Sequence, residues 1–197
     1  MLINLDTIIN KHNITITGVI HVGGNVGEEV SFYRKYTNRI HVFEPRVDAF
    51  NKIPEDVNKY NVALGNRDGD VKMFLASNGQ SSSCLEPKLH LQSHPSITFN
   101  ENTTVPIRTL DSFAIEGCSL LNMDTQGYEL EVLKGAEETL KGINTVYTEV
   151  NTRELYRNCV LLQDLDRWLS ERGFARVETS IYEHLGWGDA LYMKRGR

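Results

Sequence analysis

Cysteine is scarce in this 197-residue chain: Cys84, Cys118 and Cys159 stand far apart, and no CxxC pair occurs. An odd, dispersed set argues against a zinc knuckle and for a reducing compartment. Long apolar runs are missing, as is the basic-then-apolar layout of a secretory leader, so the expectation is a soluble, cytoplasmic domain without a membrane span. Positive charge is also short. Lys plus Arg is 21 against 26 for Asp plus Glu, a net charge of −5, which argues against a nucleic acid partner. No GxxxxGK[ST] phosphate loop, no HExxH and no Tyr-x-x-x-Lys pair are present. What remains, at 40% hydrophobic residues, suits one globular domain over 1–197. A chain of this size buries about 70% of its unfolded surface and needs no disulfide or metal staple.

Strand and helix patterns alternate almost throughout. Leu2, Leu5, Ile8 and Ile9 share a face of an N-terminal helix within 1–13. Strands are expected over Val19–Val22, Ile40–Glu44 (stopped by Pro45), Tyr60–Leu64, Ser119–Met123 and Thr145–Val150. A turn at Asp68–Asp70 leads into Val71–Leu75, read as an added β-hairpin. Helices are expected over Gly27–Tyr36, Tyr128–Lys141 and from the stripe Leu161, Leu165, Trp168, Leu169 to Gly173, a stripe read as core. Val177–Tyr182 and Ala190–Met193 form a closing pair of strands. The polar stretch 77–103 is too long for a linker and is expected to be an active-site lid. The alternation predicts an α/β fold with a mostly parallel sheet and helices on both faces.

The stretch "GVIHVGGNVGEE" ends its strand in glycines and then acid. The dinucleotide fingerprint needs glycine at the first, third and sixth loop positions. Counted from Gly23 those places hold Gly23, Asn25 and Glu28. Glu28 and Glu29 would satisfy a helix dipole themselves and repel a pyrophosphate. A cationic ligand without phosphate fits better, and S-adenosylmethionine (SAM) has that description. Glu44, at the tip of the second strand, is placed to accept hydrogen bonds from two ribose hydroxyls. The loop at 23–27, Glu44, Ala63 and Asp124 all fall at carboxyl ends of strands, where α/β sheets bind ligands.

Eight pieces in order, "GVIHVGGNVGEEV", "VFEP", "NVALGNRDGDVKMF", "SSSCLEP", "VPIRTLDSF", "NMDTQGYELEVLKGA", "YTEVNTRELY" and "GWGDALYMK", resemble the FkbM-type family of class I SAM-dependent methyltransferases. The resemblance runs from about residue 17 to 194 and rests most on "DTQGYELEVLKGA". It implies the class I Rossmann-like fold, with a seven-stranded sheet and an antiparallel closing strand. It also implies SAM as cofactor, with Asp124 and Gln126 on the cofactor side, and a sugar or glycan hydroxyl as acceptor. The expected cofactor set is His21, Gly23, Gly24, Asn25, Gly27, Glu44, Pro45, Ala63, Asp124, Thr125 and Gln126. His21 stands where many class I members carry an acid; a neutral imidazole still accepts one hydrogen bond.

Methylating a hydroxyl requires in-line alignment and a base for the departing proton. Asp124 is the first candidate for a catalytic carboxylate, whether as base, cofactor anchor or metal ligand. Glu149, one strand further on, is the alternative base. Glu129 reads as a first-turn acid that stabilises its helix. Ser82 and Ser83 (with Ser81), Asn151 and Trp187 are candidates for the acceptor, although each also has a purely structural reading. His90 and His94 stand four apart but lack metal-site company, and divalent metal dependence is left open. "NMDTQG" stands where base-amine methylases carry an NPPY-like turn. The competing functions are methylation of another small molecule or natural product, or a binding domain for cofactor or glycan without turnover. The chain could also be part of a larger glycan-modifying enzyme or pathway.

Overall fold

A computed structural model describes residues 2–195. The strand Val19–Val22 (β1) is buried on both faces, as a central parallel strand must be. Ile20 and Val22 pack into one apolar layer, and Val19 into the other. Around it lie Ile40–Phe43 (β2), Asn58–Tyr60 (β3), Ala63–Leu64 (β4), Gly69–Leu75 (β5), Glu101–Arg108 (β6), Leu120–Met123 (β7), Thr145–Asn151 (β8), Phe174–Tyr182 (β9) and Trp187–Lys194 (β10). Seven of them make one sheet in the order β3-β2-β1-β7-β8-β10-β9. All its pairings are parallel except those of β10, which runs antiparallel to both β8 and β9. The expected Rossmann-like methyltransferase topology is therefore present.

Among the described residues, seven short helices cover the faces: α1 (Leu5–His12), α2 (Val30–Tyr33), α3 (Val47–Phe50), α4 (His90–Ser93), α5 (Glu129–Lys134), α6 (Thr139–Gly142) and α7 (Leu162–Glu171). α1 starts where the Asn4 side chain accepts from Thr7 N, and it stops at Asn13 in a left-handed turn. It buries Leu5, Ile8 and Ile9; Leu2 precedes it and faces the cavity described below. α7 buries Leu165 and Leu169. Leu161 lies outside this stripe, at 36% exposure before the first turn, and Trp168 is half-buried beneath the Arg172 guanidinium.

Four expected elements come out differently. The helix over Gly27–Tyr36 contracts to α2, because Gly27 sits at φ +82° in a turn. The strand Tyr60–Leu64 divides: the Asn61 amide donates to the carbonyls of Glu44 and Pro45 and draws the chain off the main sheet. Ala63–Leu64 then joins a second sheet, β4-β6-β5. Val71–Leu75 pairs antiparallel with β6 across the intervening 76–100 segment instead of closing a tight hairpin. Residues 101–103, assigned to the lid, thus belong to β6. Finally, the helix over Tyr128–Lys141 breaks into α5 and α6 at Gly135.

Sterics require glycine at this break. A Cβ on Gly135 would stand 1.9 Å from the carbonyl oxygen of Gly65, so the second sheet packs directly on this backbone. A Cβ on Gly142 would meet nothing nearer than 4.0 Å. Gly135→Ala is therefore expected to destabilise the protein by about 3 kcal/mol. Gly142→Ala should add about 0.5 kcal/mol by restricting the unfolded chain. Urea unfolding of the two variants checks both signs.

Candidate active site

Strand register sets the site. Val22 lies opposite Phe43 on one side and Met123 on the other. The next residues, Gly23, Glu44 and Asp124, therefore leave the sheet side by side. Met123 pairs with Thr148, and Glu149 with Asp189 on β10, which extends the row to four carboxylates: Glu44, Asp124, Glu149 and Asp189. Above these strand ends is a cavity of about 460 Å³, walled on its far side by residues from 78 to 97. It lies where the connections leave β1 in opposite directions, the place α/β sheets reserve for ligands.

Of the residues expected at the cofactor, His21, Gly23, Asn25, Glu44, Pro45, Ala63, Asp124, Thr125 and Gln126 line this cavity. Glu149, Ser82, Ser83 and Trp187 line it as well. Gly24, Gly27 and Asn151 do not. A Cβ on Gly24 would meet Val42 Cγ1 at 2.2 Å, so that residue packs against β2. Gly27 N closes a turn onto Gly24 O at 2.8 Å. Asn151 is fully buried, and neither polar atom of its side chain has a partner.

Glu44 is held at both oxygens. Asn25 N donates to Oε2 at 2.9 Å and Arg46 N to Oε1 at 2.8 Å. Burial pushes its carboxyl up to about 7, despite those two backbone donors. At Gly23 a Cβ would stand 1.9 Å from Asp124 O, so only glycine lets the β1 and β7 ends touch. His21 lies beside a buried pair: Asn122 Nδ2 donates to Tyr33 Oη at 2.5 Å, and Tyr33 Oη is 3.4 Å from His21 Nδ1. Desolvation pushes His21 down to about 4, leaving a neutral imidazole.

Gln126 joins the carboxylates. Its φ is +55°, a left-handed turn that points the amide back across the strand ends. Nε2 donates to Asp124 Oδ1 and to Glu149 Oε2, both at 2.7 Å. Its Oε1 accepts from Tyr156 Oη at 2.8 Å, and its backbone carbonyl accepts from Ser83 Oγ at 2.7 Å. Asp124 is open to the cavity, whereas Glu149 is only 7% exposed. Desolvation, then the charges of Asp124, Glu129 and Asp189, hold the Glu149 carboxyl far above its ordinary range, so Glu149 keeps its proton. Desolvation raises Asp124 too, but hydrogen bonds from Gln126 and Glu149 oppose the rise.

Glu129 does more than complement a helix dipole. It is fully buried, and its Oε1 accepts from Thr125 N, Thr125 Oγ1 and Gly127 N at 3.0–3.1 Å. It thereby fixes the turn that carries Gln126. Tyr156 and Asp189 were not singled out from sequence. Tyr156 arrives from a segment without periodicity. Asp189 could have been found from the "GWGD" that opens β10, once its register against Glu149 was drawn. Tyr147 Oη and Leu2 N both donate to Asp189 Oδ2. His184 is exposed, away from the cavity. His90 and His94 line it with their rings stacked, centroids 4.7 Å apart. Among the described residues, no group of three or more His, Cys, Asp or Glu side chains is arranged to hold a metal ion.

The fold is that of Rossmann-like methyltransferases. The magnesium protoporphyrin IX methyltransferase of Synechocystis PCC 6803, solved with bound SAM, aligns with 96% of this chain and 76% of its own, at a TM-score of 0.52 and 9% identity. The methyltransferase FkbM of Methylobacillus flagellatus KT aligns with 90% of this chain and 43% of its own, at a TM-score of 0.60 and 14% identity. At such identities the likeness is one of fold. The family is shown by sequence: the methyltransferase FkbM domain matches residues 21–175, and the chain belongs to that family. The 2-O-methyltransferase NoeI of Sinorhizobium fredii is 30% identical over 158 residues, 70% of this chain. The hexuronic acid methyltransferase AglP of Haloferax volcanii is 25% identical over 170 residues, 81% of this chain. The chain spans 65% and 63% of the length of these two relatives.

The Glu129 carboxyl is raised to about 7, chiefly by burial. Its unfolded form ionises first, so stability drawn from the protonated folded form is lost as pH rises from about 4.5 to 7. The unfolding free energy of the wild type minus that of Glu129→Gln should fall across this window by on the order of 3 kcal/mol. Denaturant titrations at pH 4.5, 6 and 7.5 give the comparison.

Proposed function

We propose that the protein is a SAM-dependent O-methyltransferase that acts on a hydroxyl of a sugar or glycan. The observation that carries this reading is the cavity-facing Asp124, kept beside a protonated Glu149 by one amide, on the same row of strand ends as Glu44. Glu44 spends one lone pair of each oxygen on a backbone N–H. Each oxygen retains another for a neighbouring hydroxyl, which suits the two hydroxyls of a ribose. A cavity so rich in carboxylates favours a cation, and the neutral His21 adds no charge against it. Pro45, Ala63, Asn25 and Gly23 complete the wall on this side.

When bound, SAM supplies an activated methyl group on a sulfonium. The chain's own residues then align the acceptor and take its proton. Asp124, open to the cavity and accepting hydrogen bonds that oppose its desolvation, is the base of this reading. Glu149, which keeps its proton, is its buried partner rather than a second base. The segment 77–100 acts as the lid, with Ser82 and Ser83 fixing it above the site. Relatives named for 2-O-methylation and for a hexuronic acid support a sugar hydroxyl as acceptor. Because they are longer, the chain is proposed as the methyl-transferring part of such an enzyme. Its three free cysteines fit the cytoplasm, where thiols stay reduced.

Transfer of labelled methyl to a panel of glycans tests the reaction class. Methylated hydroxyls are expected, and transfer to amines or carboxylates instead would reject it. Donor binding without transfer to any hydroxyl compound would leave a binding domain. Asp124→Asn should lower kcat by about 10²- to 10⁴-fold. Glu44→Ala should weaken SAM binding about 10- to 100-fold, read by calorimetry. Because Glu44 ionises near 7, SAM affinity of the wild type should rise between pH 6 and 8, and this rise should be absent in Glu44→Gln.

A further inference from the structure

We infer that the acceptor end of the cavity, between α4 and the β8–β10 edge, accepts an uncharged sugar ring and rejects uronic acids. The inference rests on the sugar O-methylation proposed above and adds the charge class of the acceptor. The sheet order separates the two ends. Glu44 and the Gly23 turn lie over β2 and β1, whereas Glu149 and Trp187 lie over β8 and β10. α4 is fastened over this second end, because Lys88 N and His90 N both donate to Leu155 O, at 2.8 and 3.0 Å.

Charge decides the class. Glu28, Glu29, Glu44, Asp124, Glu149 and Asp189 all line the cavity. Among the described residues, Arg46 is the one lysine or arginine that lines it; it follows β2 and is already paired with Asp48 Oδ2 at 2.5 Å. A uronate would bring a negative charge into this acid-lined enclosure, where the chain itself offers only the already paired Arg46 to meet it, an arrangement that is disfavoured. His90 does not supply the charge, since burial holds it neutral, down to about 4.

The same end is built for hydroxyls. His90 is 4% exposed; it stacks on His94, meets Phe99 edge to face and lies tilted against Tyr156, both with ring centroids at 5.3 Å. His90 Nδ1, His94 Nδ1 and Trp187 Nε1 are buried and have no hydrogen-bond partner. The imidazoles of His90 and His94 and the indole of Trp187 line this end of the cavity, which suits a ligand with donors, acceptors and an apolar ring face. A neutral pyranose offers all three, and a neutral imidazole can both give and take a hydrogen bond with it.

Calorimetry on the protein saturated with S-adenosylhomocysteine compares methyl glucoside and methyl glucuronoside, each also presented as the terminal residue of a matched disaccharide. The neutral glycosides should bind at least about tenfold tighter than the uronides. His90→Ala and Trp187→Phe should each weaken the neutral glycosides severalfold while leaving S-adenosylhomocysteine affinity in place, which shows an intact fold. Equal or tighter binding of the uronides overturns the inference, as does neutral-glycoside binding that neither variant changes. Methyl transfer to the uronides in preference to the neutral glycosides sinks the inference but keeps the sugar reading. Transfer confined to hydroxyls that are not on sugars sinks both.

Discussion

One primary amide keeps the centre of this molecule together. Asp124 and Glu149 stand at the ends of neighbouring strands, where two like charges would repel. The two protons of Gln126 Nε2 face one carboxyl each. That bridge, with the proton retained by Glu149, makes the pair tolerable in a poorly hydrated place. The amide is itself constrained from three sides. Tyr156 fixes its oxygen, Ser83 fixes its backbone carbonyl, and Glu129 beneath fixes the turn. Removing any of these would free Gln126 to rotate and would change the ionisation of the carboxyl open to the cavity.

The fold exists, in this sense, to deliver acids to one level. Parallel pairing of β1 with β2 and β7, and of β7 with β8, puts the residues after Val22, Phe43, Met123 and Thr148 in a row. Antiparallel β10 enters the sheet from the same edge, so its third residue, Asp189, joins them. Close backbone contacts make this level exact: Gly23 against the Asp124 carbonyl and Gly135 against the Gly65 carbonyl leave no room for a side chain. The second sheet, anchored through that latter contact, positions the 76–100 segment across the top. Sites that align reacting groups tolerate errors of about half an ångström, and bare backbone at its joints suits the proposed role.

Much of this was legible in the sequence because the information was local. An apolar run ending in Gly23, a strand ending in Glu44-Pro45, and a strand ending in Asp124 each announce a strand end beside a polar residue. Asn151 looked like part of the same row, yet it falls on a fully buried position two residues beyond Glu149. Other features depended on distant partners. Ala63–Leu64 reads as the continuation of a strand until β6, some forty residues later, captures it. Leu161 fits the apolar stripe of α7 by spacing but precedes the helix, where its face is no longer defined. Tyr156 carries no periodic signal, since its role comes from a loop folding back onto Gln126. Gln126 was visible as a residue, but its left-handed backbone was not.

The proposed donor is cationic, and desolvated carboxylates await it. Calorimetry of SAM binding at pH 7 in two buffers of different ionisation enthalpy measures the protons exchanged. The Glu44 carboxyl is pushed up to about 7 in the free protein. A cation and a ribose that favour its charged form should therefore expel a proton on binding. Net release is the expected result; zero exchange or uptake would contradict the account.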